Sequence, residues 1–304
     1  MSPAIAQNTL RAYAADWAAF ARWCRVSGVS ALPPAPDLVA RYLAEIRSGT
    51  DNQPPLSAAS VERRLAGLIW SFDQRGAPLD RHHPALRALR TELRANDREP
   101  ARKHPIRAED IRAMIATLPY DLRGLRDRAI LLLGFAGGLG PSDLVSLDFG
   151  GGSAPDRGRL TVTPEGACLT FSTPRGWSQF AVGRGTTNHT CPVHAVSQWV
   201  SFAGIARGPL FVRISRDGTR PLDDRLSARH VARFVKRTAQ DAGLRPDLPP
   251  TERQAIFSGQ SLRTGLAASL GLDNITALRR HISPPDTADR PADFSLNLTR
   301  AAGL

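Results

Sequence analysis

A charged segment divides the chain into two apolar-patterned parts and so limits what it can fold into. Residues 96–105 contain two prolines and several charges but no apolar periodicity, as expected of a linker. With 304 residues, the chain is long enough for two domains that each bury a core. We therefore predict domains at 1–98 and 107–304, joined by a linker at 99–106.

The first domain carries the apolar spacing of a helical bundle. Tyr13, Trp17 and Phe20 recur three or four residues apart, which places them on one face of a helix. Ser57 can cap a helix that runs to a Gly-Ala-Pro turn at 76–78. The other helices predicted here span 38–46 and 84–93.

The second domain is predicted to combine helices with a small sheet. Residues 126–136 are apolar on nearly every side, as in a buried helix. Three short β-rich runs at 159–163, 167–173 and 178–182 are separated by turn residues, which predicts an antiparallel sheet. The other predicted helices span 109–118, 192–203, 227–242 and 260–270. The predicted fold class is mainly α with a small antiparallel β-sheet.

The charge of the chain favours a polyanionic partner. Lys and Arg number 40 against 28 Asp and Glu, a net charge of +12, and Lys103 and Lys236 are the only lysines. The planar guanidinium group of arginine suits phosphate, and a surplus of this size favours nucleic acid.

Cysteine usage and hydropathy predict a cytoplasmic protein. Three widely spread cysteines are typical of reduced thiols rather than of a disulfide framework. The N-terminus lacks a signal-peptide pattern, and the longest apolar run, at 129–139, is too short to cross a bilayer. We expect no membrane contact and an association with the nucleoid.

Six sequence blocks resemble the tyrosine recombinase (phage integrase) family. Gly-Gln-Ser-Leu-Arg-Thr-Gly at 259–265 is similar to the family's Gly-His-Ser-Leu-Arg-x-Gly. Blocks at 9–24, 57–78, 125–139, 191–199 and 208–211 match in order and spacing. The resemblance implies a two-domain tyrosine-recombinase fold, with a helical, SAM-like core-binding domain and an α+β catalytic-like domain closing as a C-shaped clamp around duplex DNA.

The chain departs from the family at positions that the family uses for catalysis. Gly140 stands where the family has its first phosphate-binding arginine, and Gln260 replaces its first histidine. Thr173 lies in the hairpin where the family has a lysine, with Arg175 as the cationic stand-in.

The nucleophile of the family also lacks a counterpart. The stretch at 288–293, which includes Asp289, resembles the surroundings of the family's tyrosine, but no tyrosine follows Tyr120. His281 corresponds to the second histidine, at a shorter distance from Arg263 than in the family. Strand cleavage needs a nucleophile, cationic donors and a general acid. The resemblance with these departures therefore implies a pseudoenzyme with no catalytic residues.

Several side chains are candidates for DNA binding. The predicted helix at 227–242 has a basic stripe opposite an apolar one; the alternative is a solvated helix face. Arg263 would bind a backbone phosphate, or pair with an acid to hold the fold. The predicted DNA-binding residues are Ser57, Ser60, Arg63, Arg64, Arg175, Arg229, Arg233, Lys236, Arg237 and Arg263.

No metal or other cofactor is predicted. His189, Cys191 and His194 lie within six residues, but no second ligand pair at structural-zinc spacing accompanies them. Cys191-Pro192-Val193 also matches the start of a helix in the family.

The leading functional hypothesis is a non-catalytic, sequence-specific double-stranded DNA-binding protein that regulates transcription. The alternatives are an accessory subunit of a recombination complex and a recombinase with a substitute nucleophile. Phe294, Leu296 and Leu298 in the C-terminal tail would either dock on a second protomer, forming a homo-oligomer on DNA, or pack on their own domain.

Overall fold

The chain forms two compact units, Met1–Ala101 and Arg102–Leu304, which we call the N-terminal and C-terminal units. This is a computed structural model, and it describes residues 7–49, 54–95, 103–150, 157–173, 176–272 and 297–304. Among the helices described, none combines the length and apolar content needed to cross a membrane.

The N-terminal unit is helical throughout its described part. Its helices are α1 (Gln7–Val26), α2 (Pro36–Ser48), α3 (Ala58–Asp73) and α4 (Pro84–Ala95). Aromatic rings fill the core: the ring centroids of Phe20 and Tyr42 lie 5.3 Å apart, and those of Trp17 and Phe72 lie 5.1 Å apart. Helices α1 and α3 pack closely because Gly67 lacks a side chain; a Cβ there would lie 2.7 Å from Asp16 Oδ2.

The C-terminal unit is built around a buried helix. Its helices are α5 (Ala108–Ala116), α6 (Leu122–Ala136), α7 (Pro141–Ser146), α8 (Pro192–Phe202), α9 (Ala228–Asp241), α10 (Pro250–Ile256), α11 (Ser261–Ser269) and α12 (Leu298–Ala301). Helix α6 begins where the Asp121 carboxylate accepts a hydrogen bond from the Gly124 amide, and its residues are almost all buried. Helices α7, α10 and α12 were not predicted, because runs this short show no periodicity.

A five-stranded sheet covers part of this core. Its strands are β1 (Leu147–Phe149), β2 (Gly158–Val162), β3 (Gly166–Thr173), β4 (Gly176–Gly183) and β5 (Gly208–Pro209), in the order β4-β3-β2-β1-β5. Strands β6 (Val212–Ile214) and β7 (Pro221–Arg225) form a separate hairpin. The predicted antiparallel pairing of the runs at 159–163, 167–173 and 178–182 is confirmed in β2, β3 and β4, and the sheet also contains β1, which was not predicted and pairs with β2 in parallel.

The C-terminal unit includes residues from 103 onward, although the linker was predicted to extend to 106. The His104 amide donates to the Ile256 carbonyl over 2.9 Å, and the Ile106 amide donates to the Ser261 carbonyl over 3.0 Å. Ile106 is fully buried. These main-chain bonds join the first residues of the unit to α10 and α11.

Candidate nucleic-acid interface

The Gly-Gln-Ser-Leu-Arg-Thr-Gly segment at 259–265 is largely explained by packing. A Cβ on Gly259 would overlap the Pro141 ring, and one on Gly265 would overlap the main-chain carbonyl of Ile106. The Ser261 hydroxyl is buried and accepts a hydrogen bond from the Ser258 amide over 3.0 Å. These residues are needed to pack α11, which leaves Gln260 and Arg263 as the polar side chains of interest.

Arg263 contacts Gly138, which lies between α6 and α7, and Asp143, which lies within α7. Its Nε donates to the Gly138 carbonyl over 2.6 Å, and its Nη2 pairs with the Asp143 carboxylate. The Arg263 side chain is 12% exposed and that of Asp143 is 37% exposed. The structure therefore contains the acid pairing that was one of the two interpretations of Arg263, and phosphate binding by Arg263 stays a prediction.

Gly140 and Gln260 lie beside this ion pair. The Gly140 amide donates to Asp143 Oδ2 over 2.9 Å at the start of α7. A Cβ on Gly140 would lie 3.0 Å from Gln260 Nε2 and 3.4 Å from Asp143 Oδ2. The amide of exposed Gln260 thus borders the space where a longer side chain at 140 would begin. An amide and a guanidinium group donate hydrogen bonds but do not exchange protons near neutral pH.

Helix α9 has the two faces that the sequence predicts. Val231, Phe234 and Val235 are buried in the core. On the other side Arg229, Arg233 and Arg237 are exposed and Lys236 is half-buried. The helix is capped by the Ser227 hydroxyl, which accepts a hydrogen bond from the His230 amide over 3.2 Å. This places several cationic side chains in solvent on a rigid element, and DNA contact through them stays a prediction.

The start of α3 is shaped by contacts within the N-terminal unit. Ser57 caps the helix, and its hydroxyl lies 2.8 Å from that of Ser60. Arg63 forms a two-point ion pair with Asp16 of α1, with Nη2 and Oδ1 2.8 Å apart, and this pairing raises the pKa of Arg63.

Arg64 also turns toward the protein. Its Nη1 donates to the Tyr42 hydroxyl over 2.9 Å, while its buried Nε lies 3.8 Å from Asp16 Oδ1, within ion-pair but beyond hydrogen-bond distance. The two arginines therefore have intramolecular partners. The sequence did not identify Asp16 as their partner, since it lies 47 residues away from Arg63 along the chain.

Other predicted site residues lie partly or wholly outside the described residues. Arg175, His281 and Asp289 fall in the gaps, as do Phe294 and Leu296 of the tail. Thr173 ends β3, where its backbone pairs with Gly176 of β4.

The described part of the C-terminal tail packs on its own chain. The Asn297 side chain donates to the Arg184 carbonyl over 3.0 Å, the Thr186 amide donates to the Leu304 carbonyl over 3.1 Å, and Leu304 is fully buried. Leu298 begins α12 within this segment. Assembly of a homo-oligomer through the tail stays a prediction.

The His-Cys-His segment is explained by the start of α8. The Cys191 thiol accepts a hydrogen bond from the His194 amide over 3.4 Å, and His189 Nδ1 lies 2.9 Å from Arg128 Nη2. Over the described ranges, no three His, Cys, Asp or Glu side chains gather as metal ligands.

Helix α6 contains a buried ion pair that was not predicted from the sequence. Arg126 Nη2 lies 2.7 Å from Asp127 Oδ1, and both side chains are almost fully buried. Burial raises the pKa of the Asp127 carboxyl, and the adjacent Arg126 charge opposes that rise. The signal was present as two opposite charges side by side at the edge of an apolar helix.

Comparison with known proteins relates the chain to an integrase/recombinase. No family model matches it. An "Integrase/recombinase xerD homolog" of Selenomonas ruminantium is 32% identical over 284 residues, which cover 90% of this chain and 76% of that protein.

A solved structure of lambda integrase supports the fold. A lambda integrase dimer bound to a COC′ core site has a TM-score of 0.53 at 16% identity, covering 96% of this chain and 75% of that one. The XerH recombinase bound to a difH substrate has a TM-score of 0.48 at 12% identity, over 97% and 76% of the two chains. The lambda integrase match confirms the predicted recombinase fold. On the sequence match, this chain belongs to the integrase/recombinase family, the tyrosine recombinases.

Proposed function

We propose that this protein binds double-stranded DNA at specific sequences without cleaving it, and that it regulates transcription. One observation carries the proposal. At the position of the family's first phosphate-binding arginine, Gly140 offers no side chain, and the Gln260 amide borders the space beside it. Two positions that the family resemblance assigns to catalysis, Gly140 and Gln260, therefore lie side by side next to Arg263, which supports the proposal.

The chemistry of this cluster supports binding rather than cleavage. Loss of a single preorganised donor to the developing charge costs on the order of 10²–10³ in rate. Gln260 cannot protonate a leaving oxygen near neutral pH, since an amide does not titrate there. Arg263 keeps its positive charge at any physiological pH. Within the part of the chain that the structure describes, the cluster therefore contains a cation, Arg263, and no histidine.

The tyrosines of the chain support the same conclusion. The 304 residues contain Tyr13, Tyr42 and Tyr120. Tyr42 is buried in the N-terminal unit, and Tyr13 packs against Trp70 with ring centroids 5.6 Å apart. Tyr120 is exposed between α5 and α6, where it lines a groove together with Arg128 and His189. None of these phenols belongs to the Gly140–Gln260 cluster.

The basic face of α9 supports DNA binding. Exposed arginine side chains on a helix can reach both phosphates and the acceptor edge of guanine. A protein that occupies a site without cutting it acts by excluding or recruiting other proteins there. Occupancy at promoters would therefore alter transcription.

Two measurements test the proposal. Selection of bound duplexes from a random library, followed by DNase footprinting at promoters, should reveal a preferred site whose deletion changes reporter output. A nicked suicide duplex carrying that site should form no covalent adduct. Recovery of an adduct would refute the non-catalytic assignment, and the absence of any preferred site would refute sequence-specific binding. Bound sites confined to recombination sequences would instead support the accessory-subunit alternative.

A matched pair of variants tests the α9 face. We expect the double variant Arg229→Gln/Arg233→Gln to bind duplex DNA less tightly and with a salt slope smaller by up to about 1.8, at about 0.9 per lost phosphate contact. Arg207→Gln removes an exposed charge elsewhere in the C-terminal unit and should change neither quantity. Equal losses in both variants would point to a general charge effect.

A further inference from the structure

A cationic cavity lies in the C-terminal unit and shares no lining residue with the Arg263 cluster. It has a volume of about 310 Å³ and is lined by residues of α6, β6 and α9, among them Arg237 from the exposed face of α9. Its charged and titratable lining side chains are Arg123, Arg126, Asp127, Arg213, His230 and Arg237. Four arginines thus face one carboxylate across a single cavity.

Most of this positive charge is not balanced within the cavity. Arg126 is neutralised by Asp127, to which its Nε and Nη2 are bonded at 2.9 and 2.7 Å. Arg213 Nη1 lies 3.1 Å from Asp224 Oδ2, and Arg237 Nε lies 4.0 Å from Asp241 Oδ2. The side chains of both ion pairs are more than half exposed. Exposed pairs of this kind are worth about 0–1 kcal/mol. An incoming anion can therefore compete for the two arginines.

The framework of the cavity is fixed by main-chain contacts. Arg123 Nη2 donates to the carbonyls of Ser215 and Arg216, both over 2.6 Å, and so holds the turn of the β6–β7 hairpin against α6. Arg126 Nη1 also reaches the Val212 carbonyl at 3.3 Å. Guanidinium groups from three different elements thus line one cavity.

The titration of His230 reports the same positive environment. Burial lowers the pKa of its imidazole, and the charges of Arg126, Arg233, Arg237 and Arg213 lower it further. The imidazole is therefore biased toward the neutral form, and it can donate or accept one hydrogen bond.

We propose that this cavity binds a phosphate group. Planar guanidinium forks match the oxygens of phosphate, and a cluster of them from different elements is the arrangement that recognises it. The phosphate could belong to a DNA backbone or to a small phosphorylated molecule. The DNA case deepens the proposed function and rests on it, whereas the small-molecule case does not.

The first arm of the test uses the full chain and inorganic phosphate. The pKa of His230 is followed by NMR with and without phosphate at constant ionic strength, and the signal is assigned with His230→Gln. A bound anion should raise this pKa by about 1, because a nearby negative charge favours imidazolium. The rise should disappear in Arg213→Gln/Arg237→Gln and persist in Arg220→Gln, which removes an exposed charge from the same hairpin. No rise, or a rise that persists in the double variant, overturns the proposal.

The second arm identifies the source of the phosphate. Duplex DNA binding is measured against salt for the single variant Arg213→Gln, because Arg237 also belongs to the basic face of α9. A slope smaller by about 0.9 in Arg213→Gln, but not in Arg220→Gln, assigns the cavity to the DNA backbone. An unchanged slope together with the His230 effect assigns it to a small phosphorylated molecule. If the wild-type chain binds no DNA, the proposed function fails, and the first arm still decides the fate of this site.

Discussion

Substitution of Arg263 by glutamine should separate its structural role from its role in binding. The side chain loses two charged hydrogen bonds, from Nε to the Gly138 carbonyl at 2.6 Å and from Nη2 to Asp143. Such bonds are worth about 1.5–3 kcal/mol each. Because Asp143 is more than one third exposed, solvent screening reduces its share. We expect Arg263→Gln to lower the free energy of unfolding of the C-terminal unit by about 2–4 kcal/mol.

The same variant should weaken DNA binding. If the guanidinium group also contacts a backbone phosphate, its removal lowers the salt slope of binding by about 0.9. Denaturant unfolding followed by tryptophan fluorescence gives the first quantity, and fluorescence anisotropy of labelled duplex at several salt concentrations gives the second. Arg207→Gln, at an exposed position, serves as the control for a loss of charge.

Asp143→Asn completes a double-mutant cycle with Arg263→Gln. It keeps the shape of the acid but removes its charge, so it should destabilise the unit while leaving the arginine present. We expect tighter DNA binding in this variant, since the guanidinium group loses its competing carboxylate. A destabilised Arg263→Gln with an unchanged salt slope would refute phosphate binding. An unchanged stability would refute the ion pair as a support of the fold.

Three further predictions concern packing, ion pairing and protonation. Gly265→Ala should lower the free energy of unfolding by about 3 kcal/mol, because the new Cβ overlaps the main-chain carbonyl of Ile106. Denaturant unfolding measures this, with Thr264→Ala on the same helix as the control. Equal stability of the two variants would contradict the prediction. Asp16→Asn should lower the free energy of unfolding of the N-terminal unit by about 1–3 kcal/mol, since the Asp16 side chain is 5% exposed and is bonded at two points by the half-exposed Arg63. Thermal unfolding measures this. In the same assay Asp37→Asn, which changes an exposed carboxylate, should have almost no effect. Folding lowers the pKa of His230 from its ordinary value of 6.5, so the unfolded chain binds a proton at a higher pH than the folded chain does. The contribution of His230 to stability should therefore be fully present above pH 6.5 and be lost as the pH falls below it. A His230→Gln variant whose unfolding depends as steeply on pH would contradict this.

The long helices could be predicted from the sequence because their apolar spacing is a local property. Trp17 and Phe20, for example, identify one face of α1 without knowledge of any partner. Helix α7 has six residues, which is too few to establish a period. Strand β1 has three residues, too few to establish a period, and the parallel direction of its pairing with β2 leaves no mark on either strand's own sequence.

The candidate site was predictable as a set of positions but not as a set of contacts. Gly140, Gln260 and Arg263 stood out because they occupy places in a recognised order of motifs. The partners of Arg263 lie 120 and 125 residues away along the chain, so no local pattern could reveal them. Arg63 was predicted to reach DNA, and its pairing with Asp16 follows only from the packing of α1 on α3.

The main-chain bonds that join residues 103–106 to α10 and α11 also bear on how the protein folds. The main-chain amides of His104 and Ile106 donate to the carbonyls of residues 256 and 261, and the Lys103 side chain donates to the carbonyl of residue 255. Contacts so distant in sequence form slowly, because a long loop must close first. On the ribosome, the N-terminal unit can fold while the C-terminal unit still lacks its closing helix. Helix α11 is therefore needed to close the C-terminal unit, and its Gly-Gln-Ser-Leu-Arg-Thr-Gly motif has a role in folding that does not depend on DNA cleavage.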